Sequence, residues 1–298
     1  MKRTLALFAV ILFHVYFILA VLGSKSEYSA EKTFCKINKS SERVMRAPEL
    51  VPEITFDQLI GRYNLFIKDY SYSQLVPLAQ IYIGKVNIAR KDYQAARTIF
   101  ENMITAYPGN KEIGAQAVAG IGSSYILEED YENAIRTYDR ITKEYPLTEL
   151  GLKAPLLKMR YYLQKNTGAE AKQRAYQEAI GYYDHLISDN KGTRMEYQVL
   201  KMKASVYLEI EMYREAVHVF GEILVSFASS PYLSSERIGN LVKTINTIAM
   251  TQLKDVDLPI SIYSKFIELH PDHPYSKILS SMIVNLEASK QDHPAQSE

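Results

Sequence analysis

Apolar and aromatic residues recur along the chain at relative offsets 0, 3, 7, 10 and 14. The set reads Tyr93, Ala96, Phe100, Met103, Tyr107, and then Tyr131, Ala134, Tyr138, Ile141, Tyr145. An earlier copy is Phe56, Leu59, Tyr63, Phe66, Tyr70. Later copies are Tyr176, Ala179, Tyr183, Leu186, Asn190, then Tyr213, Ala216, Phe220, Ile223, Phe227, then Val256, Pro259, Tyr263, Phe266, His270. Steps of three and four place all members of a set on one face of an α-helix. Measured at the third member, the copies lie 37, 38, 45, 37 and 43 residues apart. That is the period of stacked helical units.

A second helical segment precedes the fuller copies. Gly84, Gly122 and Ala204 stand nine residues before Tyr93, Tyr131 and Tyr213, and Asn87, Tyr125 and Tyr207 stand six before them. Two antiparallel helices joined by a short turn approach closely only where side chains are small, which gives these positions and the alanine of each set a packing role. Pro108, Pro146 and Pro271 end the second helix of their units, because proline cannot continue a helix. The 45-residue interval holds about seven extra residues around Leu163–Gln173, or about two helical turns. Thr55-Phe56-Asp57-Gln58 is written like a capping box opening a half unit without a first helix. Asp257 is the expected N-cap of the last unit, with Pro259 in its first turn, and a closing helix is expected over about Ser276 to Ala288.

These residues resemble the tetratricopeptide repeat (TPR). Gly122, Tyr125, Ala134, Tyr138 and Pro146 occupy in register the family's small, tyrosine, alanine, aromatic and proline positions. Gly84, Ala96, Phe100 and Pro108 do so in the preceding unit, and Ala204, Tyr207, Ala216 and Phe220 in a later one. The resemblance covers about Thr55 to Ser289. It departs from the family in having no Trp, and in carrying Met103, Ile141, Leu186, Ile223 and Phe266 where a small residue is usual. It implies an all-α fold: a right-handed superhelical solenoid of about five helical hairpins with a capping C-terminal helix. It further implies a concave face built from the first helices, including Ile81, Lys85, Gln116, Ala119, Ser123, Leu157, Tyr161, Gln198, Lys201, Ser205 and Thr244. An extended peptide or a partner helix suits such a mixed lining. The long spacing and the Tyr-Pro ending resemble the bacterial cell-envelope branch, which includes the TPR lipoprotein of outer-membrane assembly and the periplasmic partner of the Tol-Pal system. No lipid-attachment cysteine stands where the former would have one.

The ends add a location. Lys2 and Arg3 precede an apolar run from Leu5 to Leu22. This is the pattern of an export signal, read over 1–23 as a cleaved signal peptide or an uncleaved signal-anchor helix of about 27 Å. Either way the repeats are exported. Uncleaved, the chain is a single-pass protein of the inner membrane with its repeats in the periplasm; cleaved, it is a soluble periplasmic protein. Residues 24–53, rich in Ser, Lys and Glu, read as a flexible tether, 54–289 as the repeat domain and 290–298 as a disordered tail. Cys35, the one cysteine, reads as a free thiol in that tether.

Charge and chemistry narrow the function further. With 35 basic and 34 acidic residues the chain has no surplus for nucleic acid. His270 and His273 flank Asp272 in a loop that reads as a surface turn rather than a metal site. Gly120-Ile121-Gly122 lacks the third glycine and the preceding strand of a dinucleotide loop, and helix packing accounts for it. No catalytic residue, metal or cofactor is assigned. The function expected is a non-catalytic, membrane-tethered scaffold that binds another protein in the cell envelope. The rivals are a self-associating envelope assembly factor and a carbohydrate- or peptidoglycan-active enzyme.

Overall fold

The computed structural model describes residues 26–164 and 168–292. The expected signal, 1–23, lies outside the described residues. Among those residues there are thirteen α-helices and no strand. They form two compact units, one ending at Gly151 and the other beginning at Leu152.

The first unit contains α1 (Glu27–Arg46), α2 (Glu53–Asp69), α3 (Val76–Ala89), α4 (Tyr93–Ala106), α5 (Lys111–Leu127) and α6 (Tyr131–Glu144). Each helix packs on its successor, and α3 also packs on α5. Helix α1 corrects the tether reading of 24–53. It buries Ala30, Phe34, Ile37, Ser41 and Val44, which lie at steps of four and three, against Phe56, Leu59, Tyr63 and Phe66 of α2. The first copy of the repeat therefore has its first helix after all. The capping box is also corrected: α2 starts from Pro52 and has no side-chain cap. Cys35 sits exposed on α1 rather than in a linker.

The second unit holds α7 (Glu149–Gln164) from Leu152 on, α8 (Ala169–Asp189), α9 (Arg194–Glu209), α10 (Tyr213–Ser226), α11 (Ser235–Ile248), α12 (Asp257–Leu269) and α13 (Pro274–Asp292). At 21 residues, α8 is seven longer than the 14-residue helices α4, α6 and α10. The extra residues of the long interval are thus taken up as two helical turns. The closing helix α13 runs to Asp292, beyond the expected end. A π-helical turn, Ala249–Leu253, and a left-handed Lys254 lead from α11 to α12. Val256, not Asp257, holds the N-cap position of α12, Asp255 Oδ1 accepts from the Asp257 and Leu258 N–H groups, and Pro259 falls in the first turn.

The repeat positions carry the packing. Ala96, Ala134, Ala179, Ala204 and Ala216 are all at most 2% exposed. Gly84, Phe100, Gly122 and Tyr183 are buried, and Tyr93, Tyr125, Tyr131, Tyr138, Tyr176, Tyr207, Tyr213 and Phe220 are half-buried. Pro108 is exposed and Pro146 half-buried, each just past a helix end.

Three hairpins share one turn. Lys91, Glu129 and Glu211 take φ of 67°, 63° and 59°, and the next residue's N–H reaches back 2.9 Å to the carbonyl of Asn87, Tyr125 or Tyr207. This bond closes the end of the first helix in the manner of a Schellman motif. Asp92 and Asp130 then cap the second helix through Ala95 N–H at 3.0 Å and Asn133 N–H at 3.2 Å. Met212 occupies the same place with no side-chain cap.

Candidate functional site

In the first unit α3 and α5 lie side by side over α4. Ile81, Lys85 and Ile88 of α3 face Gln116, Ala119, Gly120 and Ser123 of α5 across a cavity of about 250 Å³. Helical spacing brings each row to one side of its helix. Phe100 of α4 contributes to the lining from below, and Leu150, at the start of α7, closes one edge. The Lys85 ammonium stands 5.1 Å from the centre of the Tyr82 ring, a cation–π position that holds the charge beside the groove. Ser123 spends its hydroxyl on the Ala119 carbonyl at 2.9 Å. All five concave positions expected in this unit line one cavity.

Glycines make the slot. A methyl group on Gly84 or on Gly120 would lie closer than 3.0 Å to three carbons of the Phe100 ring. The ring edge therefore fits between two backbones that carry no side chain there. Gly122 faces Thr137 of α6 in the same way. The Gly120-Ile121-Gly122 stretch is helix packing, as its sequence context implied.

A second cavity, of about 300 Å³, lies in the other unit among α9, α10 and α11. It gathers the expected Lys201, Ser205 and Thr244, together with Tyr197, Met202, Phe220, Ile223, Arg237, Asn240 and Leu241. Lys201 stands 5.5 Å from the Tyr197 ring centre, which repeats the Tyr82–Lys85 pairing. Arg237 donates to the Tyr232 carbonyl at 2.7 Å. Of the lining residues missed, Tyr197 and Met202 lie on α9, and Arg237, Asn240 and Leu241 lie on α11, where they share a helical face with Thr244; that spacing was the available signal. Leu157, Tyr161 and Gln198 do not join this cavity. Leu157 is 36% exposed, and Tyr161 packs edge-on against Tyr162 with centroids 5.6 Å apart.

The loop histidines are structural. His270 Nε2 lies 2.7 Å from the Val225 carbonyl, and His273 Nδ1 accepts from Tyr275 N–H at 3.1 Å. Both rings pack on Phe266. Among the described residues no three His, Cys, Asp or Glu side chains gather as a metal site, and no helix is long and apolar enough to cross a membrane. The run Leu5–Leu22 lies outside them.

Residues 78–110 and 120–148 match the tetratricopeptide repeat family. The two segments cover α3 with α4, and the second half of α5 with α6, so the match falls on the hairpins around the first cavity. No curated protein matches the chain. Among solved structures, a thermophilic TPR protein of Thermus thermophilus is similar with a TM-score of 0.37 and 12% identity, over 71% of this chain and 99% of that one. A tetratricopeptide repeat protein of Parabacteroides merdae gives 0.35 and 13%, over 87% and 95%. The TPR2AB domain of yeast Sti1, in complex with pHSP90, gives 0.33 and 10%, over 88% and 100%.

Proposed function

We propose that the chain is an exported, membrane-anchored scaffold of the bacterial cell envelope whose first-helix grooves receive an extended peptide or helix of another protein. The observation that carries this reading is the convergence of Ile81, Lys85, Gln116, Ala119 and Ser123 on one cavity above Phe100. A volume of about 250 Å³ suits one or two side chains of a longer ligand better than a whole drug-sized molecule. The lining offers apolar contact from Ile81 and Ile88, an amide at Gln116 and a cation at Lys85. Such a groove can hold a peptide without bond-making chemistry. Export rests on Lys2, Arg3 and the apolar run behind them.

Two experiments test this function. A photo-crosslinking residue at Gln116 should yield adducts with a membrane-fraction protein, and Lys85→Glu should abolish them. The same probe at Glu132, exposed on α6, should yield none; equal yields at Gln116 and Glu132 would refute the groove. Cys35, the one cysteine and exposed, should react with a membrane-impermeant maleimide in cells whose outer membrane alone is permeabilised. Protection of Cys35 until the inner membrane is broken would refute export.

A further inference from the structure

We propose that the end of the first unit where the chain enters, marked by Tyr28 on α1 and Tyr72 in the α2–α3 turn, rests in the headgroup layer of the bilayer. This inference depends on the reading of residues 5–22 as a retained membrane anchor.

The joint is short. Four peptide steps separate Leu22, the end of the apolar run, from Ser26, the N-cap of α1. Fully extended, they span at most about 14 Å. The polar and interfacial layer on each side of the hydrocarbon is roughly 5–7 Å thick, so α1 begins in it or just beyond it. A thirty-residue coil in place of α1 would have let the repeats wander over about 30 Å.

The joint is also firmly attached to the repeats. The Ser73 hydroxyl donates to Glu27 at 2.7 Å, and the Tyr70 hydroxyl lies 3.1 Å from that of Ser29 and 3.3 Å from that of Thr33. Two turns further on, Phe34 and Ile37 are in the core. The α2–α3 turn is thus fastened to the first turns of α1. The repeats cannot move away from the point where the chain leaves the membrane without breaking these contacts.

This end presents the right side chains. Tyr28 is 73% exposed and Tyr72 51% exposed, and Tyr72 packs beside Tyr70 with centroids 6.4 Å apart. Tyrosine is enriched where an apolar ring can enter lipid while its hydroxyl stays wet. The neighbouring charges are mixed: Glu27, Glu31 and Asp69 against Lys32 and Lys68. Attraction to anionic lipid is therefore not the driving force, and the rings make the contact with a neutral bilayer.

The chain contains no tryptophan, so one can be introduced as a reporter. Full-length Tyr28→Trp, Tyr72→Trp and Leu127→Trp would be reconstituted in phosphatidylcholine vesicles carrying a headgroup-level spin label. Leu127 is 56% exposed at the last residue of α5, the opposite edge of the hairpins from the α2–α3 turn. Trp at 28 and 72 should emit to the blue of Trp at 127 and be quenched at least about twofold more strongly, as for an interfacial ring. Equal quenching at all three sites, in a chain that resists alkaline carbonate extraction, overturns the apposition and leaves the anchor standing. A chain stripped by carbonate overturns the anchor and this inference with it.

Discussion

Gly84 and Phe100 are matched across the α3–α4 hairpin: the ring edge occupies the space a methyl group on Gly84 would need. Gly120 presses on the same ring from α5, so Phe100 cannot swing from one helix without meeting the other. Gly84→Ala should therefore cost about 1–3 kcal/mol, the usual penalty for overpacking a filled core. Phe100→Leu in that background should restore part of the loss. Urea denaturation of the four-member mutant cycle measures both, and additive effects would show that the two residues are not coupled.

Two buried tyrosines should respond oppositely to loss of their hydroxyl. Tyr63 is fully buried with its hydroxyl beside that of Ser41, and neither oxygen reaches good hydrogen-bond geometry with any partner. Tyr263 donates to Asn246 Oδ1 at 2.8 Å and lies 3.2 Å from the Val242 carbonyl. Tyr63→Phe removes an unsatisfied polar group and should be neutral or stabilising. Tyr263→Phe strands its acceptors and should cost about 1 kcal/mol or more. Melting temperatures moving in the same direction would contradict this assignment.

The shared hairpin turn can be improved. Glu129 and Glu211 hold a left-handed conformation that glycine adopts without steric cost. Glu129→Gly and Glu211→Gly should each stabilise by roughly 0.5–1 kcal/mol. Met212→Asp should add the cap present at Asp92 and Asp130, contributing about 1 kcal/mol. A loss of stability in all three variants would mean that the turn does not have this geometry.

Alkaline pH should loosen the fold through its tyrosines. Burial pushes Tyr63 and Tyr182 up to about 12, and raises Tyr183 and Tyr263 further. The unfolded chain releases these protons near pH 10, while the folded chain retains them. Above about pH 10 the unfolded state thus binds fewer protons, and stability falls by at most about 1.4 kcal/mol per pH unit for each group, less where water screens the ring. Urea midpoints should be flat between about pH 7 and 9 and drop beyond about 10. A midpoint unchanged to about pH 11 would show that burial does not hold these hydroxyls neutral.

The repeated helices were legible because their alanines and aromatics return at fixed offsets, whereas the first groove was expected only from the family resemblance, whose positions on α3 and α5 meet at one cavity. Helix α1 was not legible. Its buried stripe contains a serine, Ser41, and is surrounded by charged residues, so composition concealed a periodicity that Ala30, Phe34, Ile37 and Val44 carry. Tyr161 was placed on the concave face by the family resemblance alone, and its ring lies edge-on to that of Tyr162. Gly151 gave no pattern at all. Its role is set by the Tyr145 and Pro146 carbonyls, which leave no space for a Cβ.

Because α1 is the lid over Phe56, Leu59, Tyr63 and Phe66, the natural starting point for a recombinant fragment is Ser24 and not Thr55. Trimming back to the apparent first repeat would turn a row of large rings and aliphatic side chains toward water, and the product would aggregate for a reason unrelated to its partner.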